Sequence, residues 1–253
     1  MTWSRGFCLL LLILWSPYGS AETIKVAVAA NFSAAMKALV AEFEKTSGHT
    51  VILSFASSGK FYAQILNGAP YHAFFSADQT TAEKLELQEK ALSGSRFTYA
   101  VGALALWSSR PGFSDDPLKA LTSRQFNKLA LANPKVAPYG TAAVEVLEHL
   151  ELKNTTEAKW VLGENIAQTF QFVATGNADL GFVALAQMIE QGKMTNTSYW
   201  RVPREFHAPI LQDAQILTVG KNSPAAHQLM AFIRSADGQF IIQQHGYQTP
   251  GAL

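Results

Sequence analysis

Cysteine is nearly missing from the 253 residues: Cys8 stands alone, which excludes a disulfide framework and any CxxC metal site. An excess of charge is missing too, with 20 Lys and Arg against 19 Asp and Glu and a formal charge of +1. Neither half of the chain is markedly basic, and a nucleic-acid binder needs a clustered basic face, so that balance argues against this class of partner. Repeats, low-complexity tracts and charge runs are absent, and no apolar run reaches the roughly 20 residues that span a bilayer. There is no G-x-S-x-G. Gly59-Lys60 is followed by Phe61 and preceded by Ser54 in place of the first glycine, so it is no phosphate loop. The histidines, at 49, 72, 149, 207, 227 and 245, have no ligand spacing. What is present is 48% apolar and 15% charged residues, enough to build one large core or two ordinary ones.

Met1 to Ala21 reads as a secretory signal. Arg5 supplies the positive start, Phe7 to Trp15 the apolar run, and Gly19-Ser20-Ala21 the small residues before a cut near Ala21. The apolar run is too short for an anchor, and Cys8 lacks the small-residue context of a lipoprotein site. The expectation is an exported, periplasmic chain, not inserted in the membrane, from which Arg5 and Cys8 have been removed. It then carries equal numbers of both signs and no thiol.

Short β-branched runs alternate with amphipathic segments. Ile24 to Ala29 predicts a buried strand, and Met36, Leu39, Val40 and Phe43 give a helix face closed by Gly48. Val51 to Phe55 is a second strand, followed by a short helix presenting Tyr62, Ile65 and Leu66 and ended by Asn67-Gly68. Ala73 to Phe75 is a third strand, and Thr80 to Lys90 a third helix. Phe97 to Trp107, broken by Gly102, can run from one lobe into another. Further strands are expected at Leu129 to Ala132, Leu180 to Ala184 and Ala214 to Val219. Helices are expected with faces Ala143-Val146-Leu147-Leu150, Ile166-Phe170-Val173 (with an Asn165/Gln168 capping box) and Ala225-Leu229-Phe232-Ile233 after Ser223-Pro224. This alternation indicates an α/β fold of two lobes, each a mostly parallel sheet flanked by helices. The expected division is 22–100 plus 206–253 for lobe one and 101–205 for lobe two.

Four strand-to-helix junctions carry small or polar residues: Ala29 to Ser33, Ala56 to Gly59, Ala137 to Thr141 and Asn165 to Gln168. Helix starts present unpaired N–H groups and the positive end of the dipole, and so suit anions. Ordinary capping explains any single one of them. Ser57-Ser58-Gly59-Lys60 also fits S-x-x-K, where serine is a nucleophile. Its partner motifs are missing, and Lys45-Thr46 lies upstream in the wrong order.

The segments Ser54-Phe55-Ala56-Ser57-Ser58-Gly59, Asn67-Gly68-Ala69-Pro70, Phe74-Phe75-Ser76-Ala77-Asp78, Asn133 to Gly140 and Ala178 to Ala184 occur in that order. Together they resemble the periplasmic molybdate-binding proteins of ABC transporters, over essentially the whole chain after the leader. The resemblance implies a type II periplasmic-binding-protein fold that closes on molybdate or tungstate. It also implies transfer of that oxyanion to a membrane permease, with no cofactor and no catalysis, by a monomer. By position, Asn31 and Ser58 would donate through side chain and backbone, and Tyr139 and Ile166 through backbone N–H. These four are the oxyanion (molybdenum or tungsten) ligands the resemblance implies. Ala30 stands where many members carry Ser or Thr, and Ala184 where some carry Tyr. A fully ionised oxyanion offers acceptors only, so its pocket should hold donors and no carboxylate. On this reading Asp78 is a helix cap and Lys60 points to solvent. The alternatives are a sulfate or phosphate receptor and a secreted serine hydrolase using Ser58.

Overall fold

The computed structural model describes residues 21–110, 113, 116–190 and 199–250. The leader expected at residues 1–21 lies outside them except for Ala21. The strands are β1 (Thr23–Ala29), β2 (Thr50–Ala56), β3 (Ala73–Phe75), β4 (Phe97–Gly102), β5 (Leu104–Trp107), β6 (Leu129–Ala132), β7 (Trp160–Gly163), β8 (Leu180–Ala184), β9 (Tyr199–Arg201) and β10 (Ile210–Ile216). They form two five-stranded sheets of the same design, β2-β1-β3-β10-β4 and β7-β6-β8-β5-β9. In each sheet three strands pair in parallel, a reversed strand follows, and the last strand pairs antiparallel to that one. Four of five strands in each lobe therefore run the same way, as the alternating pattern implies. The reversed strand in each case, β5 or β10, is the one on which the chain enters from the other lobe.

The first crossing is abrupt. β4 ends at Gly102 in one sheet, and β5 begins at Leu104 in the other. The return runs from β9 to β10. The apolar stretch Phe97 to Trp107 is thus two strands in two lobes, split at its glycine.

Helices cover both faces of each sheet. On the first, α1 (Ser33–Ser47), α9 (Pro224–Arg234) and α10 (Ala236–Gln244) bury Met36, Leu39, Leu229 and Ile242 against Val26, Val28 and Phe75. α2 (Ser58–Leu66) and α3 (Gln79–Leu87) bury Phe61, Ile65 and Leu85 against Ala27 and Phe74 on the other face. On the second sheet, α4 (Pro117–Ser123), α5 (Pro138–His149) and the single turn α6 (Lys153–Thr156) lie on the Leu104, Leu106, Leu129 and Leu131 face. α7 (Ile166–Ala174) and α8 (Leu185–Glu190) lie on the Ala105, Trp107, Ala130 and Val183 face. Alternate strand residues feed opposite cores, which is why these runs are apolar on both sides.

Several boundaries move. The α2 face is Phe61 and Ile65, with Tyr62 and Leu66 at its margin, one residue off the expected stripe. In α9, Met230 is buried and Phe232 sits at the edge. β10 begins four residues before the expected Ala214 and stops at Ile216. Its buried Gln212 and Asp213 hide it from an apolar reading, because each is satisfied by side-chain partners only the fold supplies.

Candidate functional site

The carboxyl ends of β1, β2, β6 and β7 all lead toward one point between the sheets, and a helical segment starts after each. At β1, a tight turn over Ala30–Phe32 runs straight into α1, and the Asn31 N–H lies in its first turn. At α2, Phe61 N–H returns to Ser57 O, and the Gly59 N–H crosses to the Val136 carbonyl at 2.9 Å, so the Ser58 N–H is left over. At α5, Pro138 has no N–H and those of Gly140 and Thr141 both go to Ala137 O; only Tyr139 keeps a free donor. At α7, Asn165 Oδ1 accepts from Ala167 and Gln168, both at 3.0 Å, which leaves the Ile166 N–H. Each helix therefore spares a donor at its positive end.

The four residues that the resemblance implies are brought together around one small cavity. It is lined by Ala29, Ala30, Asn31, Ser57, Ser58, Ala77, Ala137, Pro138, Tyr139, Asn165 and Ile166. No carboxylate, ammonium, guanidinium or imidazole lines it. The cavity is far tighter than a pocket for a drug-sized ligand. Ser58 is fully buried, and its Oγ accepts the Ala77 N–H at 2.9 Å, which turns its own hydrogen away from that amide. A wider groove of about 240 Å³ shares Ala77 and Pro138 with the cavity, but it carries Asp78 and Glu145, whose charge repels an anion. A nucleophilic serine needs a neighbouring base. The cavity offers Ser58 none.

The Asn31 side chain is engaged elsewhere. Its Nδ2 donates to Gln212 Oε1 at 2.8 Å and to Tyr247 Oη at 3.2 Å, which ties the side chain into a network beside the cavity, while its backbone N–H stands in the turn that leads into α1. Tyr99 Oη also donates to Gln212 Oε1, and Gln212 Nε2 donates to Tyr139 Oη at 3.3 Å, joining β10 of one lobe to α5 of the other. Burial pushes the hydroxyls of Tyr99 and Tyr139 well above the ordinary tyrosine range; at Tyr139, hydrogen bonds to Gln212 and Asn31 pull more weakly the other way. Both stay neutral near pH 7. Gly102 makes this junction possible: a Cβ there would lie 2.3 Å from Tyr139 Oη and 2.8 Å from Gln212 Nε2.

Other residues settle as follows. Asp78 caps α3, its carboxylate accepting the Thr81 N–H at 2.7 Å. Lys60 does not simply point to solvent: its Nζ pairs with Glu164 Oε2 across the cleft at 2.6 Å. Gln168 accepts from the Glu164 N–H and not from that of Asn165, a variant of the expected box. At Ala184, the backbone N–H goes to the buried Gln187, whose Nε2 holds the Ile166 carbonyl at 3.2 Å and so fixes the α7 start. The sequence reading passed over Gln187, Gln212 and Ser57. Nothing in a linear pattern marks the two glutamines, but Ser57 lies beside Ser58 in the segment Ser54 to Gly59 that carries the resemblance.

Residues 24–248 match the family model described as bacterial extracellular solute-binding protein. The chain is 52% identical to the molybdate-binding protein ModA of Azotobacter vinelandii, over 90% of each chain. It is 43% identical to ModA of Rhodobacter capsulatus, over 95% of this chain and 93% of the relative. The solved periplasmic molybdate-binding protein of Azotobacter vinelandii superposes with a TM-score of 0.85 at 42% identity, covering 90% of this chain and 99% of that one. A sulfate-binding protein of Mycobacterium tuberculosis shares the fold at 12% identity and a TM-score of 0.71. The chain belongs to the bacterial extracellular solute-binding proteins and, within them, to the ModA family.

Proposed function

We propose that the chain is the receptor of an uptake system, capturing molybdate or tungstate and delivering it to an ABC permease in the membrane. The observation that carries this reading is the cavity: four helix starts, each with a spare N–H, and no ionisable wall other than the neutral Tyr139. A tetrahedral dianion presents acceptors on every side. Backbone donors of Asn31, Ser58, Tyr139 and Ile166, with the Ser58 hydroxyl, meet those acceptors without a counter-ion and its desolvation cost. A hydrogen bond to a charged group contributes about 1.5–3 kcal/mol, so a handful offsets the cost of burying the ion.

The donors come from both lobes, so the site is complete only when the lobes touch, as they do here through Gly59 and Val136, Lys60 and Glu164, and Gln212 and Tyr139. The anion thereby favours the closed form over a parted one, and the permease has a conformational signal of occupancy. In this reading the protein works as a monomer in the periplasm after cleavage near Ala21, without a cofactor, nucleic acid or catalytic step. Among the described residues no helix is long and apolar enough to cross a membrane.

Isothermal calorimetry on the protein lacking residues 1–21 tests this. Molybdate and tungstate are expected to bind and to out-compete sulfate and phosphate. Ser58→Ala should weaken both by roughly 10- to 100-fold, one hydrogen bond to charge. Phosphate binding with no heat from molybdate or tungstate overturns the specificity.

A further inference from the structure

We infer that the Ser57 hydroxyl is a further donor to the bound oxyanion, on the reading of the cavity given above. Ser57 lines the cavity, is 4% exposed, and its Oγ has no hydrogen-bond partner among the described residues. A buried hydroxyl left without a partner costs about 1–3 kcal/mol, so its retention needs a compensating role.

The local chemistry explains why it is spare. Ser57 occupies the N-cap of α2 in extended backbone, where a serine oxygen ordinarily accepts the second or third N–H of the helix. Here it makes no such bond. The second N–H, that of Gly59, is instead given across the cleft to Val136 O at 2.9 Å. The Ser57 hydroxyl thus neither caps the helix nor donates to any described residue, and it lies where Ser58, next along the chain, offers its N–H and hydroxyl. Ala30, on the opposing turn, presents only a methyl. Two adjacent serines at one helix start thus supply two hydroxyl donors, one braced by Ala77 and one unbraced.

The experiment is molybdate and tungstate titration of the wild-type chain, Ser57→Ala and Ser57→Cys, with circular dichroism and thermal midpoints recorded without anion to establish that each is folded. Ser57→Ala is expected to weaken both anions by roughly 10- to 100-fold while remaining folded. Ser57→Cys, which fills the space with a weak donor, should fall between it and the wild type. Wild-type affinity in a folded Ser57→Ala, or in Ser57→Cys beside a weakened Ser57→Ala, overturns the inference; the second outcome shows that the side chain fills space and does not donate. Absence of binding by the wild-type chain overturns the proposed function itself, which keeps the two failures apart.

Discussion

Gly59→Ala tests the closed cleft with opposite effects in its two forms. Gly59 is the second residue of α2, and a Cβ added there would meet Val136 Cα at 2.9 Å and Val136 O at 3.0 Å, backbone atoms of the other lobe. A flexible side chain could swing aside; this backbone cannot without moving the loop into α5. The substitution must hold the lobes apart, stretching the bond from Gly59 N to Val136 O. Losing that bond costs about 0.5–1.5 kcal/mol, and the overlap about 1–3 kcal/mol as in an overfilled core. A total of roughly 2–4 kcal/mol against the closed form corresponds to a loss of affinity of about 30- to 1000-fold. With the lobes parted nothing of Val136 is near, and alanine is the better helix former by about 0.4–1 kcal/mol. The variant should therefore be at least as heat-stable as the wild type without anion, yet gain much less stability when molybdate is added. Scanning calorimetry with and without molybdate, beside a titration, reads both. Wild-type affinity in Gly59→Ala would refute the idea that this contact belongs to the ligand-binding form.

Two further outcomes are expected. Lys60→Ala or Glu164→Ala should change affinity by less than about threefold, because this pair is 42% and 64% exposed and salt screens it, and the small effect should vanish at high ionic strength. Alkaline pH acts through Tyr99 and Tyr139, whose folded-state hydroxyls hold their protons above the ordinary range. Above the unfolded value near 10 the folded form binds more protons, so the stability these groups contribute is level at neutral pH and falls as pH rises past about 10. Thermal midpoints across pH, with tyrosinate absorbance as the second signal, check this; ionisation of all tyrosines near 10 in the folded chain would contradict it.

The order of elements was largely readable from the chain. β1, α1, β2, β3, β6 and β8 have apolar periods and glycine stops that leave little choice, and Gly48 ends α1 in the left-handed conformation as its position suggests. The short β7 and β9, the helices α4, α6, α8 and α10, and the early start of β10 are not legible in the sequence. Their residues are mixed in polarity, and neighbouring strands decide their state. At β10, Asp213 is buried because Arg96, Thr98 and Gln79 surround it, a fact no window of sequence contains.

The candidate site shows the same division. Small polar residues marked four helix starts, because capping chemistry is local and written in adjacent residues; the resemblance to a family, carried over by position, implied Asn31, Ser58, Tyr139 and Ile166 there. Which N–H groups remain free is not local. It depends on Val136 taking the Gly59 amide, on Gln187 fixing Ile166, and on Gln212 with Tyr247 engaging the Asn31 side chain. By itself the sequence determined the two-lobed α/β class and the anion-seeking character of four junctions, both set by periodicity and nearest neighbours. Only the tertiary structure decided that these junctions meet in one uncharged cavity, that Lys60 reaches across the cleft and that the Ser57 hydroxyl is spare. Each of those is a contact between residues distant in the chain, whose partners exist only once the two sheets face each other.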